Sequence, residues 1–171
     1  MIIEGKIFKY GDDINTDVIF PGKYTYEPLT PKQMAEHALE DLDPGFRMEC
    51  REGDVIVAGK NFGCGSSREQ AAIAIRAAGC RAVIAPTFSR IFYRNCLNNG
   101  LFAITNSSIQ ERVEKGDWIV IDLNVGKIKI EGGEYGFPPP SEDVFEILAS
   151  GGLIPYTKMK LSQCRDDGKD E

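Results

Sequence analysis

The sequence lacks the features of several functional classes. It has 20 Lys and Arg against 26 Asp and Glu, a net charge of −6, and no basic stripe. Nucleic-acid-binding proteins concentrate positive charge against phosphates, so that class is disfavoured. No apolar run is longer than a strand, so we expect no membrane span. Residues 1–6 lack the charged start and long apolar stretch of a secretory signal, and we expect a cytoplasmic protein.

Histidine and closely spaced cysteines, which form many metal sites, are also scarce. The chain has one histidine, His37, which we expect to be exposed, and no Cys-x-x-Cys pair. Its cysteines are Cys50, Cys64, Cys80, Cys96 and Cys164. An odd number of scattered thiols without an export signal is typical of the reducing cytosol. We therefore expect this chain to hold no metal, and Cys64 to be a small loop-packing residue that can be oxidised.

The most informative segment is the glycine loop, residues 59–70, with the sequence Gly-Lys-Asn-Phe-Gly-Cys-Gly-Ser-Ser-Arg-Glu-Gln. It follows an apolar run at 54–58 and leads into an Ala/Ile-rich helical pattern at 67–78. A second apolar run follows at 81–85. This order predicts strand, loop, helix and strand in a parallel sheet. Ligands of such sheets lie at the carboxyl ends of the strands, where the helix N-terminus favours an anion.

The residue types at this loop favour a small carboxylate over a nucleotide. Arg68 stands where a dinucleotide fingerprint needs its third glycine, and no Asp or Glu ends the following strand. A P-loop would require a Gly-Lys-Ser/Thr ending, which is absent. A guanidinium beside the hydroxyls of Ser66 and Ser67 suits a bidentate carboxylate contact. The alternative is that one serine only caps the helix and Arg68 is solvated.

The remaining pattern predicts one α/β domain. Strands are expected at 2–8 and 101–105, an antiparallel hairpin at 117–122 and 127–131, and a helix from Ser89 to Asn98. Thr30 and Gln33 form a capping-box pattern for a helix whose apolar face continues to Leu42. A final helix is expected at 141–149. Counting βα units alone implies three α/β/α layers. We expect the domain to span residues 1–161 and a disordered tail to follow at 162–171.

Three motifs in register resemble the swivelling domain of the aconitase superfamily. They are the glycine-loop motif at 61–70, the Asn-Thr-Asp loop at 11–22 and a third signature at 85–95. The resemblance covers roughly residues 1–155, and the length is similar to detached small subunits of the isopropylmalate dehydratase family. It implies a three-layer β/β/α swivelling fold with parallel βα units and a β-hairpin. It also implies a hydro-lyase reaction, in which a dicarboxylic 2-hydroxy acid is dehydrated and then rehydrated at the neighbouring carbon.

The resemblance also implies roles for individual residues. Ser66 would be the catalytic base that removes the carbon-bound proton, and Ser67 and Arg68 would hold a substrate carboxylate. Asp17 would hydrogen-bond to catalytic groups, although an Asx-turn role remains open. The family's [4Fe–4S] cluster would be carried by a large partner subunit, with none bound by this chain. The expected partners are that large subunit and a dicarboxylate, without nucleic acid or membrane.

Substrate choice is expected to depend on the loop at 21–28, which includes Tyr24 and Tyr26. Homoaconitase-like chains carry an arginine near the position of Tyr26, which suits an extra carboxylate. Tyr26 has no positive charge, so an alkyl group is favoured and the resemblance implies 2- and 3-isopropylmalate in leucine biosynthesis. The alternatives are the small subunit of homoaconitase, that of a 2,3-dimethylmalate-type dehydratase, and a stand-alone anion-binding regulatory module.

Overall fold

The computed structural model describes residues 1–167, with side chains described to residue 163. The strands are β1 (Ile2–Lys9), β2 (Val55–Val57), β3 (Ala82–Ala85), β4 (Phe102–Thr105), β5 (Trp118–Asp122), β6 (Lys127–Ile130) and β7 (Gly133–Gly136). The helices are α1 (Thr16–Ile19), α2 (Pro31–Ala35), α3 (Phe46–Glu49), α4 (Glu69–Ala77), α5 (Arg90–Asn98), α6 (Glu142–Ala149) and α7 (Leu153–Asp167). None of the described helices is long and apolar enough to cross a membrane.

One mixed sheet organises the domain, with the strand order β4-β3-β2-β1-β5-β6-β7. Strands β1 to β4 pair in parallel, and β5 to β7 continue the sheet in antiparallel pairs. Strand β1 joins the two halves: residues 2–6 pair with β5, and residues 7–9 pair with β2. The carboxyl ends of β1, β2 and β3 therefore lie side by side at one edge.

Alternate residues of the parallel strands face two different cores. Ile56 and Val83 pack with α4 and α5, whereas Val55 and Ala82 pack against apolar residues of β5 and β6. Helices α4 and α5 thus cover one face, and antiparallel strands cover the other with a contribution from α6, which confirms the β/β/α arrangement. The α/β/α expectation from unit counting is wrong, because continuous apolar strands require two covered faces but do not specify what covers them.

Local sequence signals locate most elements. The four parallel strands and the hairpin are confirmed within one or two residues, and α4 begins at Glu69 instead of residue 67. The Thr30–Gln33 capping box is present, but α2 ends at Ala35 and does not reach Leu42. The cause is Leu39, which has φ 57° and donates its N–H to the Ile19 carbonyl at 2.9 Å. Its side chain is fully buried without a continuing helix.

Four elements of the structure lie outside the sequence predictions: α1, α3, β7 and most of α7. Strand β7 was not predicted, since its sequence Gly-Glu-Tyr-Gly has no apolar alternation. Helix α7 extends from Leu153 to Asp167 across the predicted start of the tail at residue 162. Residues 168–171 of that tail lie outside the described residues, and the boundary at 161 stays a prediction.

Candidate active site

Three loops meet where the parallel strands end, and the glycine loop lies between the other two. On one side it pairs with the loop that follows β1. The Gly63 N–H donates to the Ile14 carbonyl at 2.7 Å, and the Thr16 N–H donates to the Cys64 carbonyl at 2.8 Å. The glycine loop is therefore attached to the Asn-Thr-Asp loop by backbone pairing, as a strand would be.

The opposite side of the glycine loop pairs with the loop that follows β3. The Phe62 N–H donates to the Thr87 carbonyl at 3.1 Å, and the Ser89 N–H donates back to Phe62 at 3.0 Å. The Ser89 hydroxyl donates to the Gly63 carbonyl at 2.6 Å while its oxygen caps α5 at the Phe92 N–H. These bonds hold the three motifs of the sequence together at the sheet edge.

Left-handed backbone at several positions lets the glycine loop make these bonds. Asn61 and Asp13 have φ values of 60° and 56°, and the Asn61 amide donates to the Asp13 carboxylate at 2.8 Å. Asn and Asp tolerate this region better than other side chains. Gly63 has φ +74°, and a Cβ there would overlap the Phe92 ring. Only glycine fits at position 63 without displacing the core.

Arg68 and Asp17 form the charged part of the site. Arg68 Nη1 lies 2.5 Å from Asp17 Oδ1 and also donates to the Phe20 carbonyl at 3.3 Å. The Arg68 side chain is only 16% exposed and that of Asp17 54%. Gly22 makes room for the pair, since a Cβ there would lie 3.0 Å from each partner. Both contacts use Nη1, and within the described part of the chain Nη2 and Nε make no hydrogen bond.

The two serines do not act as helix caps. Ser66 and Ser67 are exposed, and α4 starts after Arg68 with no side-chain cap hydrogen bond. The buried Thr16 hydroxyl donates to the Ser66 carbonyl at 2.8 Å, which places Ser66 beside the loop that carries Asp17. Thr16 was missed by sequence reasoning, although its place in the Asn-Thr-Asp motif could have indicated it. Capping is therefore not the reason for two serines at this position.

The structure places the two tyrosines in different surroundings. The Tyr24 ring stacks on His37 with centroids 3.8 Å apart, whereas Tyr26 is 97% exposed. The expectation that His37 is exposed is wrong, because it lies under Tyr24 and 2.7 Å from Glu40. Burial opposes ionisation of Glu40, but hydrogen bonds from Lys23 and His37 outweigh it and lower its pKa. Tyr24 is thus fixed beside the site, and Tyr26 is free to contact a ligand or partner.

The described thiols do not form a cluster site. Cys80 and Cys96 are fully buried, and burial raises the pKa of both well above the usual thiol value. Burial likewise raises the pKa of Cys50 to about 12. Cys64 is partly exposed in the glycine loop, with its sulfur 3.6 Å from the Asp13 carbonyl. Among the described residues, no group of three or more His, Cys, Asp or Glu could hold a metal ion.

Comparisons with known proteins agree with this geometry. The aconitase C-terminal domain family matches residues 12–109. The small subunit of 3-isopropylmalate dehydratase from Metallosphaera sedula is 48% identical over 158 residues, covering 92% of this chain and 98% of the relative. That of Halothermothrix orenii is 45% identical over 160 residues, covering 92% and 96%. The chain belongs to the 3-isopropylmalate dehydratase small-subunit family.

A solved structure extends this result to the fold. The 3-isopropylmalate dehydratase structure from Methanocaldococcus jannaschii has a TM-score of 0.87 and 46% identity, covering 97% of this chain and 99% of that chain. The two structures therefore correspond over nearly the whole length of both chains. Membership of this family favours an enzyme subunit over a stand-alone regulatory module.

Proposed function

We propose that this chain is the small subunit of a two-chain cytoplasmic hydro-lyase that interconverts 2- and 3-isopropylmalate in leucine biosynthesis. The observation that carries the proposal is the Arg68–Asp17 pair next to Ser66, on an open edge built by three family motifs. This edge can bind a carboxylate and remove a proton, but it holds only part of a dehydratase site. A large subunit is needed to complete it.

In the proposed reaction, Ser66 removes the proton from the substrate carbon. A serine alkoxide must be stabilised, and each unit by which its pKa falls requires about 1.36 kcal/mol of differential stabilisation. The backbone N–H groups of the glycine loop, the N-terminus of α4 and the Arg68 charge can supply it. In the aconitase superfamily a [4Fe–4S] cluster acts as Lewis acid at the leaving hydroxyl, and we assign that cluster to the large subunit.

Arg68, Ser67 and Asp17 orient the substrate in this proposal. Arg68 binds a substrate carboxylate through the donors that Asp17 leaves free, and the Ser67 hydroxyl adds a third hydrogen bond. Asp17 is half-exposed, so its ion pair contributes only about 0–1 kcal/mol to folding stability. Its contribution is therefore mainly to orient the guanidinium.

Substrate choice tests this function directly. We expect the reconstituted two-chain enzyme to turn over 2-isopropylmalate and to reject homocitrate and homoaconitate. Tyr26 offers aromatic surface without positive charge, and the Lys23 ammonium over the Tyr24 ring is paired with Glu40 at 2.8 Å. Tyr26→Arg should shift preference toward the tricarboxylic acids. The measurement is kcat/KM for each acid, with the isolated chain as an inactive control. Efficient turnover of homocitrate by the unmodified complex would contradict the isopropylmalate assignment.

Arg68→Lys is expected to raise KM about 10–100-fold, since a lost charge-assisted hydrogen bond is worth about 1.5–3 kcal/mol. Lysine keeps the charge but cannot contact both a substrate carboxylate and Asp17 with a planar fork. Steady-state kinetics of the two-chain enzyme will measure the effect. Arg47→Lys, on the exposed face of α3, is the matched control and should leave KM unchanged. An unchanged KM for Arg68→Lys would exclude a bidentate carboxylate contact.

A further inference from the structure

The outer face of α5 carries a group of exposed residues that the proposed reaction does not use. Ile91 is 50% exposed and Tyr93 45%, and Arg90 and Arg94 flank them. The opposite face of the helix is buried in the core. We call these four residues the α5 patch. Single exposed apolar residues are ordinary, so its composition alone does not make it a binding surface.

The two cations of the α5 patch are not neutralised by a neighbouring carboxylate, a property that they share with other described cations such as Arg47 and Lys60. Several other cations of the chain lie within 4.0 Å of a carboxylate, such as Lys9, Arg81 and Lys115. Among the side chains that the structure describes, Arg90 and Arg94 have no such partner, although the chain has 26 acidic residues. Arginine and tyrosine are also residues enriched at protein–protein interfaces.

The position of the α5 patch connects it to the active-site edge. The Tyr93 ring packs edge-on against Phe88 at 5.9 Å, and Phe88 packs against Phe62 of the glycine loop at 6.2 Å. The Ser89 hydroxyl, at the start of the same helix, binds the Gly63 carbonyl. The patch and the glycine loop therefore form one rigid unit at the carboxyl ends of the strands.

We infer that the α5 patch is the docking surface for the large subunit, on a region of that subunit that presents carboxylates beside an apolar side chain. The inference rests on the proposed function, in which a second subunit completes the open edge, and α5 begins at that edge. Arg90 and Arg94 are the exposed cations with which carboxylates of that subunit would pair. Between them and Tyr93 lies an open depression of about 420 Å³, also lined by Pro86 and Phe88, which can take the apolar side chain.

Charge reversal of the α5 patch is the direct test. Surface plasmon resonance without substrate measures binding to the large subunit of the same organism. The variants are the double variant Arg90→Glu/Arg94→Glu and the single variant Ile91→Asp. We expect at least about 30-fold weaker binding for each, as for central interface residues. The wild-type affinity should also fall as salt rises, and fall less for the charge-reversed variant.

A matched control lies at the opposite edge of the sheet. Arg47 and Met48 are an exposed Arg and an apolar residue on α3, which leads into the amino end of β2. Arg47→Glu/Met48→Asp should bind as the wild type does. Unchanged binding by both α5 variants, with unchanged thermal unfolding, would overturn the inference. An equal loss of affinity in the control variant would also overturn it.

The proposed function and the docking surface can fail separately. A wild-type pair that associates through the α5 patch but does not turn over isopropylmalate would contradict the function alone. A pair that turns over isopropylmalate while the α5 variants associate normally would contradict the docking surface alone. At a saturating concentration of large subunit, the α5 variants should recover wild-type kcat, because none of the four residues is in the proposed catalytic group.

Discussion

Replacing Ser66 with alanine is expected to lower kcat of the two-chain enzyme about 10²–10⁴-fold, the usual contribution of a general base. KM should change little, because a base acts in the transition state and a substrate carboxylate is still bound by Arg68 and Ser67. The substitution removes only an exposed hydroxyl, and the bond from Thr16 reaches the Ser66 carbonyl, which alanine retains. Folding of the variant should therefore be unaffected.

Steady-state kinetics of Ser66→Ala and Ser67→Ala in parallel will separate the two roles. Ser67 is the matched control, since it is an adjacent serine that is also exposed and is proposed to bind and not to react. Ser67→Ala should raise KM and keep most of kcat. Near wild-type kcat in Ser66→Ala would show that Ser66 is not the base. Equal loss of kcat in both variants would show that the roles cannot be divided in this way.

Gly63→Ala is expected to destabilise the fold by about 2–5 kcal/mol, a large part of the total stability of a typical domain. Alanine at φ +74° costs about 1–2 kcal/mol. Its Cβ would also overlap the Phe92 ring, which packs on Phe62 with centroids 5.3 Å apart. The loss should appear in denaturant unfolding and as a Tm lower by roughly 4–20 °C.

Gly65→Ala separates backbone strain from packing in that experiment. Gly65 also has positive φ, at +89°, but a Cβ there would lie 3.5 Å from its nearest neighbours, an ordinary contact. Gly65→Ala should therefore lower the free energy of unfolding only by the cost of the left-handed backbone, about 1–2 kcal/mol. If Gly63→Ala is no more destabilising than Gly65→Ala, the Phe92 ring yields easily and the core behind the glycine loop is not tightly packed.

The candidate site was predictable where it depends on short motifs. Ser66, Ser67 and Arg68 are consecutive, and a glycine loop before a helical pattern places them at a strand end whatever the rest of the fold. The pairing of Arg68 with Asp17 rests on the resemblance of both loops to one family. Thr16 and Ser89 were not predicted to support the site, because each donates to a backbone carbonyl some 26 to 50 residues away. A local motif can mark such a residue, but it does not specify the distant carbonyl to which the residue donates.

The sequence by itself determined the parallel strands, the hairpin and α4, because apolar periodicity and glycine reflect each element's own burial and backbone geometry. Only the tertiary structure decided which elements cover the parallel strands, since β2 and β3 are apolar on both faces and antiparallel strands or helices would satisfy them equally. It also decided where α2 ends, because the Leu39 amide bonds to Ile19, twenty residues away. Contacts between residues this far apart in the sequence depend on how the loops pack at the sheet edge. Local sequence patterns do not specify that packing.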